Sequence, residues 1–100
     1  MKDECKQAWP YLDVLGTKWS VLIITKLEDG PKRFKQLHRD VAVVTTQSLT
    51  NALKRLVANG IVDRKVYPTV PVSVEYSLTE KGADLKRALT EIENWALRWQ

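Results

Sequence analysis

The stretch from Val44 to Gly60 constrains the fold of this chain more than any other. Its apolar residues recur at the i, i+3, i+4, i+7 spacing that places side chains on one side of an α-helix. They are Leu49, Ala52, Leu53, Leu56 and Val57. Thr45 can cap the start of this helix, and Asn59-Gly60 is a typical end, because glycine tolerates a left-handed backbone. The pattern predicts one amphipathic helix over about residues 45–59.

The polar face of this helix differs from an ordinary solvated surface. Solvated helix faces often pair Glu with Lys, whereas this stretch has no acidic residue. The face carries Thr45, Thr46, Gln47, Thr50, Asn51, Lys54 and Arg55. Amide side chains can bond adenine edges, a Thr methyl can contact thymine, and a cation can reach guanine or phosphate. The face therefore suits the major groove of DNA, with an ordinary solvated surface as the alternative.

Positive charge is concentrated in the middle of the chain. The whole sequence carries a net charge of +4. Residues 32–65 hold eight Lys and Arg against two Asp, a net charge of +6, while the segments on either side are each at −1. Concentrated positive charge attracts polyanions, so double-stranded DNA is the leading candidate partner.

Size and composition exclude several classes of protein. One hundred residues fit a single domain over residues 1–100. One cysteine and one histidine rule out an internal disulfide, a multi-cysteine metal site and a histidine cluster. No phosphate loop and no nucleophile–base pair is present, so we expect no enzyme activity, metal or cofactor. His38 is expected to be a surface or capping residue. Without a signal pattern or an apolar run of membrane-spanning length, we expect a soluble cytoplasmic protein with no membrane partner.

The elements around the organising helix predict a winged helix-turn-helix. Short helices are predicted over residues 9–15 and 35–40, a longer one over 18–28, and a short extended segment over 32–34. The longer helix is rich in apolar residues and should be central to the core, with a 3.6-residue period through Trp19, Leu22, Ile23, Lys26 and Leu27. Helices 35–40 and 45–59 are close enough to form a helix-turn-helix. Residues 61–67 and 72–78 read as two strands of a β-hairpin, the wing. The fold class is therefore mainly α with a small hairpin (α+β). Phosphate contacts are expected from Arg64 and Lys65 on the wing and from Lys32 and Arg33 before the helix-turn-helix.

The last helix is predicted to run from the cap residue Thr79 to about Trp99. Its apolar residues follow a spacing of 4, 3, 4, 3, and they are Leu85, Leu89, Ile92, Ala96 and Trp99. Trp95 widens this stripe. A domain of this size has difficulty covering two tryptophans at one end of a helix. We therefore expect a homodimer contact through these residues, assisted by Trp9 and Leu12, with a purely internal core as the alternative.

Five segments in this order resemble one known family. They are Leu12 to Trp19 with its Gly-x-Lys-Trp end, Asp29 to Phe34, Val44 to Leu56 followed by Gly60 to Arg64, Val74 to Thr79 followed by Gly82, and Trp95-Ala96. Together they cover nearly the whole chain. The chain resembles the HxlR-type winged-helix transcriptional regulators of bacteria and archaea.

The resemblance implies a homodimeric regulator that places helix 45–59 in the major groove and the wing, 61–78, along the flanking backbone. Some members use an N-terminal cysteine as an oxidation sensor, which here would be Cys5; an inert thiol is the alternative. The chain departs from the family where Val72-Ser73 replaces a common Pro and basic residue, and where Lys6 follows Cys5. A winged-helix module that binds protein rather than DNA is the competing hypothesis. The sequence does not identify a small-molecule effector, an operator or the direction of regulation.

Overall fold

A computed structural model of the protein describes residues 7–8, 11–14, 16, 18–41 and 44–100. The backbone of residues 11–14 is helical. The elements that follow are α1 (Lys18–Leu27), β1 (Lys32–Arg33), α2 (Phe34–Asp40), α3 (Thr46–Ala58), β2 (Val62–Tyr67), β3 (Ser73–Leu78) and α4 (Glu80–Arg98). The predicted fold class is confirmed, because helices dominate and the strands form one small antiparallel sheet. Within the described ranges, no helix is both long and apolar enough to cross a bilayer.

The sheet contains the predicted hairpin and one additional strand. β2 and β3 pair from Val62 opposite Leu78 to Tyr67 opposite Ser73. β1 joins the other edge of β3, so the strand order is β1-β3-β2. The predicted extended segment 32–34 corresponds to β1 in its first two residues, which pair with the free edge of β3, while Phe34 begins α2.

Local capping chemistry sets the bounds of α3. The Thr45 hydroxyl accepts a hydrogen bond from the Ser48 amide at 3.0 Å, as predicted for a helix N-cap. At the other end, Gly60 has a φ of 72°. Its amide donates to the Val57 carbonyl at 3.0 Å, and the Ile61 amide donates to the Leu56 carbonyl at 3.0 Å. This pair of bonds is the Schellman arrangement, which needs the left-handed conformation that glycine provides.

The core lies between α1, α2 and the apolar side of α3. Leu49, Ala52, Leu53 and Leu56 are buried as predicted, and Val57 packs at the edge of the same cluster. In α1 the buried residues are Ser20, Ile23, Ile24 and Leu27. The predicted central position of this helix in the core agrees with these residues, although Leu22, which shares their helical period, is exposed.

His38 connects the two helices of the helix-turn-helix. Its Nε2 lies 3.1 Å from the carbonyl oxygen of Val44, just before α3, and its ring stacks on Phe34 with centroids 6.2 Å apart. Val44 itself is buried. His38 is therefore half-buried and links α2 to Val44 before α3, rather than lying on the surface as expected.

α4 begins in close contact with the end of α3. The Thr79 hydroxyl caps α4 by accepting from the Gly82 amide at 3.0 Å, and it donates to the carbonyls of Gly60 and Ile61. A Cβ at Gly82 would overlap the Ile61 carbonyl oxygen, so only glycine fits there. Gly82, Lys86 and Leu89 are buried, whereas every residue from Glu91 to Gln100 is exposed.

Candidate nucleic-acid interface

The outer side of α3 presents a row of polar side chains to solvent. Thr46, Gln47, Asn51, Lys54 and Arg55 are exposed, and Thr50 is half-buried. The opposite side of the same helix supplies four core residues, so the helix cannot rotate about its axis without opening the core. The orientation of the polar row is therefore fixed by packing.

Gln47 and Asn51 form a hydrogen-bonded pair of amides. The Gln47 Nε2 donates to the Asn51 Oδ1 at 2.9 Å, across one helical turn. The bond leaves the Gln47 carbonyl as an acceptor and the Asn51 amino group as a donor. A carbonyl oxygen has a second lone pair, so Asn51 can still present both an acceptor and a donor to a base edge. Gln47 thus holds Asn51 in one orientation.

The three threonines of this face differ in the hydrogen bonds that their hydroxyl groups already form. The Thr45 hydroxyl is occupied by capping, since it accepts from the Ser48 amide and donates to the Ser48 hydroxyl. The Thr50 hydroxyl donates to the Thr46 carbonyl at 2.8 Å, which leaves its methyl group for apolar contact. Among these three, Thr46 has the most accessible hydroxyl for a ligand.

The predicted phosphate-binding cations differ in what already surrounds them. Lys32 lies 3.7 Å from a carboxylate oxygen of Asp40 and its side chain is only 14% exposed, so part of its charge is neutralised. Arg33 is exposed on β1 opposite Glu75. Within the described part of the chain, Lys54 and Arg55 form no salt bridge.

Arg64 and Lys65 lie on opposite faces of the wing. Successive residues of a strand point to opposite sides, and the structure shows the consequence. Arg64 is paired with Tyr76 and lines a crevice beside Lys54 of α3. Lys65 is paired with Glu75, and its Nζ lies 5.3 Å from the centre of the Tyr67 ring. Both cations are predicted from the sequence to contact phosphates, but only Arg64 shares a surface with α3.

The crevice between α3 and the wing is a feature that the sequence analysis missed. The alternation of residues 72–78 predicts Tyr76 only as a strand residue, whereas the structure shows that it lines this crevice from β3. The cross-strand register of Arg64 and Tyr76 brings them together beside α3. The sequence does indicate that Arg64 and Lys65 point to opposite faces of β2, because successive side chains of a strand alternate. The pairing of Arg64 with Tyr76 depends in addition on the β2–β3 register, which the turn sets.

The residues predicted for a subunit contact fall into two groups. Ile92, Trp95, Ala96 and Trp99 are exposed, with Trp95 at 57% and Trp99 at 77%. Leu12 is also exposed. Leu89, in contrast, is only 6% exposed and belongs to the core of its own subunit, and Leu85 packs half-buried against that core. The prediction of Leu89 as an interface residue is therefore corrected: its side chain is used within the chain. Trp9 and Cys5 lie outside the described residues.

Comparison with known proteins identifies the family. A sequence model of the HxlR-like helix-turn-helix family matches residues 14–100. The chain belongs to the HxlR-like helix-turn-helix family. It is 41% identical over 92 residues to the HTH-type transcriptional regulator YodB of Bacillus subtilis, covering 92% of this chain and 82% of YodB. It is 46% identical over 90 residues to an HTH-type transcriptional regulator of Halalkalibacterium halodurans, covering 89% of this chain and 80% of that relative.

Solved structures agree with this assignment. The reduced form of YodB from B. subtilis matches with a TM-score of 0.79 and 43% identity, over 86% of this chain and 84% of that one. The oxidised form of the redox regulator HypR matches with a TM-score of 0.79 and 41% identity, over 88% of this chain and 91% of that one. The HxlR-like chain described here is thus a winged helix-turn-helix protein of the transcriptional-regulator type.

Proposed function

We propose that this HxlR-like protein is a homodimeric, sequence-specific regulator that binds double-stranded DNA through α3. The observation that carries the proposal is the exposed, acid-free polar row of α3, held in place by the buried stripe on its other side. A helix of this kind fits the major groove, where its N-terminal half meets base edges. Gln47, Thr50 and Asn51 lie in that half and are the proposed base-reading residues.

The cations of α3 and the wing supply the proposed affinity for the DNA backbone. Lys54, Arg55 and Arg64 are exposed and form no salt bridge with the described residues, so their charges are available to phosphates. Arg33 is exposed as well, while Lys32 contributes less because of Asp40. Phosphate contacts fix the position of a protein on the duplex and add no direct sequence information.

The exposed apolar end of α4 supports a homodimer. Ile92, Trp95 and Trp99 present large apolar side chains that the subunit itself does not cover. Burial of an apolar side chain of this size contributes about 1.5–3 kcal/mol, so two copies of this stripe form a favourable contact. A two-fold dimer places two α3 helices on one side of the DNA, and the proposal predicts an operator with two inverted half-sites about one helical turn, or a multiple of it, apart.

Cys5 is proposed as a thiol that responds to oxidants. Support comes from relatives, since YodB has been solved in reduced, diamide-treated and quinone-bound forms and HypR in reduced and oxidised forms. Cys5 is the single cysteine of this sequence. With diamide as the oxidant, the thiols of two Cys5 residues, one from each subunit, would transfer two protons and two electrons to the N=N bond of diamide, which becomes the hydrazine, and would form one disulfide between the subunits. Equal DNA affinity before and after diamide treatment, with the disulfide formed, would contradict the role, and Cys5→Ser provides the unreactive control.

The direct test of DNA binding starts from genomic DNA of the source organism. Fragments retained by the purified protein are sequenced, and binding to the selected duplex and to a scrambled duplex is titrated at several salt concentrations. The proposal predicts a selected inverted repeat, tighter binding to it than to the scrambled duplex, and a steep loss of affinity with salt. A protein-interaction module would retain no particular fragment and would show no salt-dependent binding to duplex DNA.

A further inference from the structure

A crevice separates α3 from the wing. We call it the α3–wing crevice; it has a volume of about 480 Å³ and is lined mainly by apolar groups, including Leu53 and Val57 of α3 and Tyr76 of β3. Volumes of this order are typical of sites that bind small organic molecules. The proposed reading of DNA by the outer row of α3 makes no use of the apolar lining.

Two cations stand beside this apolar lining. Lys54 comes from α3 and Arg64 from β2, so the charges lie on the two elements that form the crevice. Neither forms a salt bridge with the described residues. The Tyr76 hydroxyl likewise has no hydrogen-bond partner in the described part of the chain. The crevice therefore combines an apolar surface with two cations and one hydroxyl group that have no partner among the described residues.

This combination selects a particular class of ligand. An aromatic ring system can lie against Leu53, Val57 and Tyr76 and gain from burial of its apolar surface. A carboxylate at one end can accept paired hydrogen bonds from the Arg64 guanidinium and a further one from the Lys54 ammonium. A neutral aromatic molecule lacks the second interaction, and a free inorganic anion lacks the first.

We propose that the α3–wing crevice binds a small aromatic monocarboxylate, whose carboxylate occupies the space between Lys54 and Arg64. The effect on DNA rests on the proposed function, in which the same two cations hold phosphates. A bound carboxylate and a DNA phosphate then compete for the same cations, and the ligand releases the protein from its operator.

The test uses 2-naphthoate as the probe and the full chain as the protein. Its uncharged analogue 2-naphthamide has the same rings, and inorganic phosphate has charge without rings. Binding is measured by calorimetry without DNA, at constant ionic strength. Because a hydrogen-bonded charge contributes about 1.5–3 kcal/mol, 2-naphthoate should bind at least about tenfold more tightly than 2-naphthamide. Phosphate at the same concentration should not displace it. Equal affinity of the two naphthalenes, or displacement by phosphate, would overturn the proposal.

A matched pair of variants locates the site. Ala58 lines the crevice at the end of α3 and is exposed, so Ala58→Phe fills the crevice without entering the core. Ala83 is an exposed alanine of α4 outside the crevice, and Ala83→Phe is the control. We expect 2-naphthoate affinity to fall at least about tenfold in Ala58→Phe and to stay within about twofold of wild type in Ala83→Phe. In the unaltered protein, the methyl resonances of Leu53 and Val57 should shift on addition of 2-naphthoate. Unshifted methyl groups, or equal binding by both variants, would refute the site.

The DNA arm separates the two proposals. For each protein, the ratio of operator affinity without and with 2-naphthoate is measured, so that any effect of the substitution on DNA binding itself cancels. The ratio should exceed one in wild type and Ala83→Phe and approach one in Ala58→Phe. If the protein binds 2-naphthoate as described but binds no DNA duplex, the proposed function fails and the proposal of a ligand site in the crevice still holds. Should an operator be bound while 2-naphthoate is not, the crevice proposal alone fails.

Discussion

Replacement of Arg64 by Gln should lower the salt dependence of operator binding, and replacement of Lys65 by Gln should not. Arg64 shares the crevice side of the wing with Lys54, whereas Lys65 lies on the other face, opposite Glu75 and next to the Tyr67 ring. Both residues are exposed, and the two substitutions remove the same charge. Any effect of net charge alone is therefore equal in the two variants, and the difference between them reports on position.

The size of the effect follows from counterion release. Each phosphate contact contributes about 0.9 to the slope of log affinity against log salt, so Arg64→Gln should reduce the slope by about 1.8 in a dimer with two wings. Between about 50 and 200 mM salt, a slope difference of about 1.8 changes the relative affinity of variant and wild type by roughly twelvefold.

Fluorescence anisotropy of a labelled operator, titrated at five salt concentrations, measures these slopes. The account predicts a shallower line for Arg64→Gln and a line parallel to wild type for Lys65→Gln. A slope that falls equally in both variants, or more in Lys65→Gln, would refute the assignment of the two faces.

Three other substitutions test the packing, the dimer and the cap. Gly82→Ala should lower the free energy of unfolding by about 1–3 kcal/mol or more in urea titrations, because its Cβ would meet the Ile61 carbonyl; an unchanged midpoint would contradict this contact. Ile92→Asp combined with Trp95→Asp should give folded monomers in sedimentation, since both side chains are exposed in the subunit, while Leu97→Asp, on another side of α4, should stay dimeric. A double variant that remains dimeric would move the interface elsewhere. Thr45→Ala should cost about 1 kcal/mol of stability and weaken operator and scrambled DNA alike, because its hydroxyl caps α3; a loss confined to the operator would make Thr45 a base-reading residue.

Features that depend on neighbouring residues were predictable from the sequence. The ends of α3 follow from Thr45 and from Asn59-Gly60, whose capping chemistry acts over three or four residues. The hairpin follows from the β-branched run of residues 61–67 and the apolar–polar alternation of residues 72–78 on either side of a turn. The polar row of α3 follows from the apolar stripe, because a 3.6-residue period fixes both sides of a helix together.

Features that depend on distant partners were not predictable in the same way. The sequence indicates an extended segment at residues 32–34, but its pairing with β3 as the two-residue β1 depends on the edge that β3 leaves free. Ser20 rather than Leu22 is buried in α1, since α1 carries apolar residues on most sides and the surrounding elements decide which side faces inward. Leu89 and Ile92 belong to the same apolar stripe of α4, yet the rest of the subunit buries Leu89 and leaves Ile92 exposed. The periodicity of the apolar residues does not show at which residue of α4 the contact with the rest of the subunit ends.

The central claim is that α3 reads DNA sequence, and Asn51→Ala tests it most directly. Asn51 is exposed, oriented by Gln47 at 2.9 Å, and in the half of α3 that meets base edges. The affinities of the Asn51→Ala variant and of the wild type for the selected operator and for a scrambled duplex are measured at one salt concentration. The account predicts a loss of about 1–3 kcal/mol per half-site on the operator and almost none on the scrambled duplex. An equal loss on both duplexes would mean that this helix contacts only the backbone, and the claim would fail.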